Sequence, residues 1–183
     1  MPPANPAVLE YMARRQSRPA KLFTGAVPTE AELRDILTPA LRVPDHGKLE
    51  PWRLVLIDKA AMARLADLAE ARARALGGGR EMIPKGHLAV AVIASPKPVA
   101  KIPEAEQLLS AGALCMNIVH AATASGWAAS WLTGWPAHDA VFAAEAFGCT
   151  GAERVAGIIH IGTCEAPMPD RPRPDLDRLL SRA

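Results

Sequence analysis

Residues Glu106–Gly134 read EQLLSAGALCMNIVHAATASGWAASWLTG, and after Glu106 no Asp, Glu, Lys or Arg occurs until Asp139. Ser110, Asn117, His120, Thr123, Ser125 and Gly126 interrupt the stretch, so its clean apolar runs fall well short of the roughly 20 residues that span a bilayer. It reads instead as a buried helix over about Glu106–Ser125 and a strand over about Trp127–Thr133. Leu108, Leu109, Leu114, Met116, Ile118 and Val119 are spread around the helix with alanines between, and a helix apolar all round must be buried all round. A chain of 183 residues struggles to surround one by itself. A second copy of the chain is the expected source of the missing cover.

Working outward, Leu88–Ala94 is a continuous apolar run bounded by Gly86 and Pro96, the pattern of a central strand covered on both faces. Further strands are expected over Trp52–Asp58 and Val155–Gly162. Helices are expected over Pro6–Gln16, from Thr29 with the capping-box spacing Thr29-x-x-Glu32, over Ala60–Leu76, and over Ala137–Phe147 stopped by Gly148. Gly77-Gly78-Gly79 reads as a mobile loop. The sum is an α+β fold in one domain over residues 1–183: a mixed or antiparallel sheet of about four to five strands, with helices on both faces. Pro167, Pro169, Pro172 and Pro174 make residues 165–183 an extended C-terminal arm.

Composition excludes several functions. Lys+Arg 21 against Asp+Glu 19 leaves +2, too little and too dispersed for nucleic-acid binding. Cys115, Cys149 and Cys164 are odd in number and far apart, which argues against a disulfide framework or a zinc site and for a reducing cytoplasm. Met1–Gln16 lacks the apolar stretch of a secretory signal. Patterns for metalloproteases, serine nucleophiles, phosphate loops and dinucleotide loops are absent, and His87, His120, His138 and His160 are scattered.

Three groups of residues are suited to chemistry. Arg14-Arg15-Gln16-Ser17-Arg18 closes a helix before Pro19; its guanidinium forks and hydroxyl suit a phosphate, although cations in a last turn also simply complement the helix dipole. Arg42-Val43-Pro44-Asp45-His46-Gly47-Lys48-Leu49-Glu50-Pro51-Trp52-Arg53 is a stiff loop that brings Arg42, His46 and Lys48 just ahead of a strand; Pro44-Asp45 also reads as an ordinary turn. In Trp131-Leu132-Thr133-Gly134-Trp135-Pro136, the glycine allows backbone to approach a flat ligand and the tryptophans can wall a pocket. It reads equally as a strand end with core aromatics.

Together the three groups resemble the flavin-dependent nitroreductase family, specifically its small, minimal branch. Arg15-Gln16-Ser17 resembles the family's Arg-Arg-Ser, Pro44–Arg53 its Pro-Asp-His loop, and Ser110-Ala111-Gly112 with Trp131–Gly134 its later half. The resemblance runs from about Leu9 to Gly162, and the middle loop is its specific part. It implies an intertwined homodimer with FMN at the interface. Arg15, Gln16 and Ser17 would hold the phosphate and ribityl chain, with Arg14 the alternative if the turn is read one residue earlier. Arg42 and His46 would reach the flavin of the other subunit, and Trp131, Leu132 and Thr133 would lie along its own. Ala121, Ala122, Thr123, Ala124, Ser125 and Gly126 match the nicotinamide-binding segment.

The resemblance further implies hydride transfer from NADPH or NADH through the flavin to a small-molecule acceptor such as a nitroaromatic or quinone, in ping-pong fashion. No metal and no catalytic side chain is needed, since the flavin carries the chemistry. Two departures stand out: Gln16 replaces the motif's second arginine, and Leu132 stands where close relatives often carry an arginine. Arg18 or Lys48 are candidates to compensate. A non-catalytic FMN carrier or sensor, and a dimeric scaffold binding another anion, are the competing readings.

Overall fold

The computed structural model describes residue 1, residues 3–77 and residues 88–183. Helix α1 spans Pro6–Arg14, α2 Glu30–Ala40, β1 Trp52–Ile57, α3 Lys59–Ala75 and β2 Leu88–Ala94. They are followed by α4 Glu104–Ala124, β3 Ala128–Leu132, α5 Trp135–His138, α6 Ala140–Phe147, β4 Arg154–Gly162 and the short α7 Leu176–Leu179. The starts of the first three helices follow from local chemistry. Asn5 caps α1 with Pro6 as its first residue, and Asp58 caps α3. At α2 the Thr29 hydroxyl accepts from the Glu32 backbone N–H while the Glu32 carboxylate accepts from that of Thr29, a complete capping box.

The strands form one sheet in the order β1-β2-β4-β3, and every neighbouring pair is antiparallel. All seven residues of β2 are buried, because its side chains alternate between two helical layers. Leu88, Val90, Val92 and Ala94 join the cluster beneath α2 and α4. Ala89, Ala91 and Ile93 pack with α3 and α6. The expected α+β fold with helices on both faces is therefore present, with four strands and no parallel pair among the described residues.

Several details differ from the sequence expectations. Helix α1 stops at Arg14 rather than Gln16, since Arg15 leaves helical geometry with φ −56° and ψ 131°. The helix expected over Ala137–Phe147 is two helices. Asp139 ends α5 and caps α6, its carboxylate accepting from Phe142 N at 2.7 Å and from Arg72 Nη2 at 2.9 Å. Helix α4 buries Gln107, Ala111, Leu114, Cys115, Ile118, Val119 and Ala122, yet Leu109 is 74% exposed and Met116 and His120 are only half-buried. Within a single chain it is not covered all round. Gly78 and Gly79 of the expected mobile loop lie outside the described residues. The C-terminal arm is irregular apart from α7, and Leu176, Leu179 and Leu180 on it are exposed.

Candidate functional site

Where α1 ends, Arg15 turns the chain so that Arg18 N–H donates to the Ala129 carbonyl of β3 at 3.1 Å. Within this turn Arg15 Nη1 donates to Ser17 Oγ at 3.4 Å. The C-terminal arm runs alongside: Gln16 Nε2 donates to Asp170 Oδ1 at 2.9 Å, and Arg173 Nη2 to the Ala13 carbonyl at 2.6 Å. Gln16 and Arg173 hold the Asp170 carboxyl below its usual range. Two hollows flank the turn. One, of about 660 Å³, is lined by Tyr11, Arg14, Arg15, Gln16, Arg18, Thr123, Gly126 and Cys164 among others. The other, of about 370 Å³, is lined by Arg15, Gln16, Ser17, Arg171 and Arg173 together with arm prolines.

Tyr11 stands between the first hollow and a third, of about 790 Å³, bounded by α1, α2 and α4. Its hydroxyl donates to the His120 backbone carbonyl at 2.9 Å and is also hydrogen-bonded to the Thr123 hydroxyl. His120 Nδ1 lies 3.2 Å from the same oxygen. Burial, and then the nearby Arg15 charge, push the His120 pKa down. The expected nicotinamide segment divides between these spaces. Thr123 and Gly126 line the first hollow, and Ala121, Ala124 and Ser125 the third, while Ala122 is buried in the core and faces neither.

The Arg42–Arg53 loop lies elsewhere, along α4 from Glu106 to Asn117. Gly47, Lys48 and Glu50 have φ of 74°, 53° and 48°, left-handed values that cost a non-glycine residue energy. The Asp45 carboxylate holds the loop by accepting from Leu49 N at 3.1 Å and Glu50 N at 2.9 Å. Gly47 cannot be replaced easily, because its φ of 74° strains any residue with a Cβ, which would also have to push the Ile102 side chain aside. Helix α4 supplies three further contacts. Ser110 Oγ donates to the Pro44 carbonyl, Asn117 Nδ2 donates to the Arg42 carbonyl at 3.0 Å, and Glu106 Oε2 is 2.8 Å from His46 Nδ1.

Trp131 packs inward. Its Nε1 donates to the Ala156 carbonyl at 3.3 Å, and the indole covers Gly157, where a Cβ would come within 2.1 Å of Nε1. At Gly134, by contrast, a Cβ would make only an ordinary contact within the chain, 3.6 Å from Pro136 Cδ. Leu132 is partly exposed, and Thr133 lines a separate hollow with Leu108, His138 and Arg154. The structure thus gathers Arg14, Arg15, Gln16, Ser17, Thr123 and Gly126 around one turn. It leaves Arg42 with His46, and Trp131 with Leu132 and Thr133, at separate places on the same chain. Among the described residues no cluster of His, Cys, Asp or Glu is arranged to hold a metal, and no helix is long and apolar enough to cross a membrane.

The sequence pattern of the nitroreductase family matches residues 12–163. The chain belongs to the nitroreductase family. A Haemophilus influenzae protein named "Putative NAD(P)H nitroreductase" is 33% identical over 164 residues, covering 85% of this chain and 87% of that protein. The Escherichia coli K12 protein YdjA, named in the same words, is 31% identical with the same coverage. Among solved structures, a nitroreductase-like family protein from Bacillus cereus superposes with a TM-score of 0.79 at 20% identity, over 100% of this chain and 98% of that one. An FMN-dependent nitroreductase from Clostridium difficile gives 0.70 at 18% identity, over 95% and 97%. As a nitroreductase, the chain has the cation turn, the Pro44–Arg53 loop and Trp131–Thr133 all inside the matched span, with the arm beyond it.

Sequence reasoning missed Tyr11, Glu106 and Cys164, and took Asp45 only as part of a turn. The Glu106, Ser110 and Asn117 spacing, four and then seven residues on one helical stripe, is the signal that would have tied α4 to the loop.

Proposed function

We propose that this nitroreductase-family oxidoreductase binds FMN and uses NADPH or NADH to reduce small electron-poor acceptors such as nitroaromatics and quinones. The observation that carries the reading is the turn at the end of α1: Arg14, Arg15, Arg18, the Gln16 amide and the Ser17 hydroxyl are exclusively or partly hydrogen-bond donors, and they border two hollows. That donor set fits a phosphate ester. When bound, the flavin supplies the hydride chemistry; the chain's own residues bind, orient and shield it. Arg14, Arg15, Gln16 and Ser17 hold the phosphate and ribityl chain, Trp131, Leu132 and Thr133 border the ring, and the Ala121–Gly126 segment receives the nicotinamide.

Arg42 and His46 stand apart from the cation turn in one chain, which supports a site shared between two copies. The stripe of exposed Leu109 and half-buried Met116 and His120 on α4 is the face proposed to meet the partner, in one FMN-binding domain of residues 1–183. The unpaired thiols of Cys115, Cys149 and Cys164 agree with a cytoplasmic setting.

The visible spectrum of the purified protein, before and after anaerobic NADPH and then NADH, tests the reading. A flavin band that bleaches is the expected result. A band that persists would turn the reading toward an FMN carrier, and a protein that refuses added FMN would overturn it. Replacing Arg15 with alanine is expected to weaken FMN binding at least several-fold in a fluorescence titration, because a hydrogen bond from a charged group contributes roughly 1.5–3 kcal/mol.

A further inference from the structure

Glu106 has no role in the reading above, yet its carboxylate is bonded to the His46 ring at 2.8 Å. An ionised carboxylate only accepts hydrogen bonds, so the proton of this contact belongs to Nδ1. Nε2 is then the polar atom the ring presents outward. The backbone beneath the ring is fixed twice over, by the Asp45 carboxylate bonded to Leu49 and Glu50 N–H groups and by Ser110 bonded to the Pro44 carbonyl. Lys48 and Glu50 stand at positive φ in this loop. Such strained residues persist where their surroundings over-determine them, and they cluster at ligand clamps. A helix and a strained loop therefore combine to set the direction of one imidazole.

Resting on the FMN reading, we propose that Glu106 is a positioning residue. It holds His46 in the Nδ1–H form, so that Nε2 meets the bound nucleotide as an acceptor for one of its N–H or O–H groups.

The test uses the full-length chain with ¹⁵N-labelled histidine at about pH 8, above the ordinary histidine pKa. Long-range ¹H–¹⁵N spectra report which ring nitrogen carries the proton, and His46→Ala assigns the signal. Wild type is expected to show Nδ1–H at His46, and Glu106→Ala to shift it toward Nε2–H. Glu106→Gln keeps an accepting oxygen and is expected to restore the wild-type form. In parallel, the FMN dissociation constant is expected to rise about two- to tenfold in Glu106→Ala, the range of one ordinary hydrogen bond, and no further rise is expected when that change is added to His46→Ala. A His46 signal unchanged in Glu106→Ala, or an unchanged FMN dissociation constant, would overturn the positioning role alone. Wild-type protein that takes up no FMN would instead overturn the flavin reading, and this proposal with it.

Discussion

Gly157 and Glu153 illustrate how single residues fix this structure. A methyl group at 157 has nowhere to go, since the Trp131 indole occupies its place at 2.1 Å. Gly157→Ala is expected to destabilise the fold by about 1–3 kcal/mol and to redden tryptophan emission, read by denaturant titration with fluorescence. The Arg53 guanidinium bonds both oxygens of Glu153 at 2.8 and 2.9 Å and holds its carboxyl at about 2. A carboxyl lowered by folding contributes stability above its unfolded value, and that stability is lost as pH falls toward the folded one. Arg53→Met is therefore expected to cost of order 1–2 kcal/mol at neutral pH, allowing for Arg53's partial exposure, and to narrow its gap from wild type as pH drops from about 5 to about 2. Arg15 and Ser17 come together at one turn because they sit in one short contiguous motif, and such a motif can be picked out of the sequence alone. Tyr11 could not be, because the partner that gives it meaning is 109 residues away.

Among the elements, those set by neighbours in sequence were read closely. The ends of β2 were read to the residue, because a strand covered on both faces writes an unbroken apolar run. The α2 start was equally plain from Thr29 and Glu32. The α5–α6 break was not, because apolar residues on both sides of Asp139 continue a helical pattern across it. The break depends on Arg72, which brings a guanidinium from α3 to the same carboxylate that caps α6. Asp139→Ala removes the cap and strands the arginine. It is expected to lower stability by about 1–2 kcal/mol, measured as a reduced denaturation midpoint with the slope unchanged.

Across the whole molecule, the uncharged stretch announced a helix with more apolar surface than one chain covers, and α4 has that surface at Leu109. What the sequence left unread was its distribution: one side is spent on the sheet, one stripe on the Arg42–Arg53 loop, and only the remainder is open. If the proposed shared site holds, Leu109→Glu is expected to leave each chain folded, because the side chain is exposed, while shifting sedimentation toward the monomer and weakening FMN binding together. The bonds between Gln16 and Asp170, and between Arg173 and the Ala13 carbonyl, also matter to anyone handling the protein. They tie the end of α1 to the C-terminal arm beside the cation turn, so a linker that pulls on that arm strains the turn. A handle on the exposed side of α3, at Arg64 or Glu70, lies in the layer of α3 and α6, across the sheet from the layer of α4, and would tether the molecule from the face away from that turn.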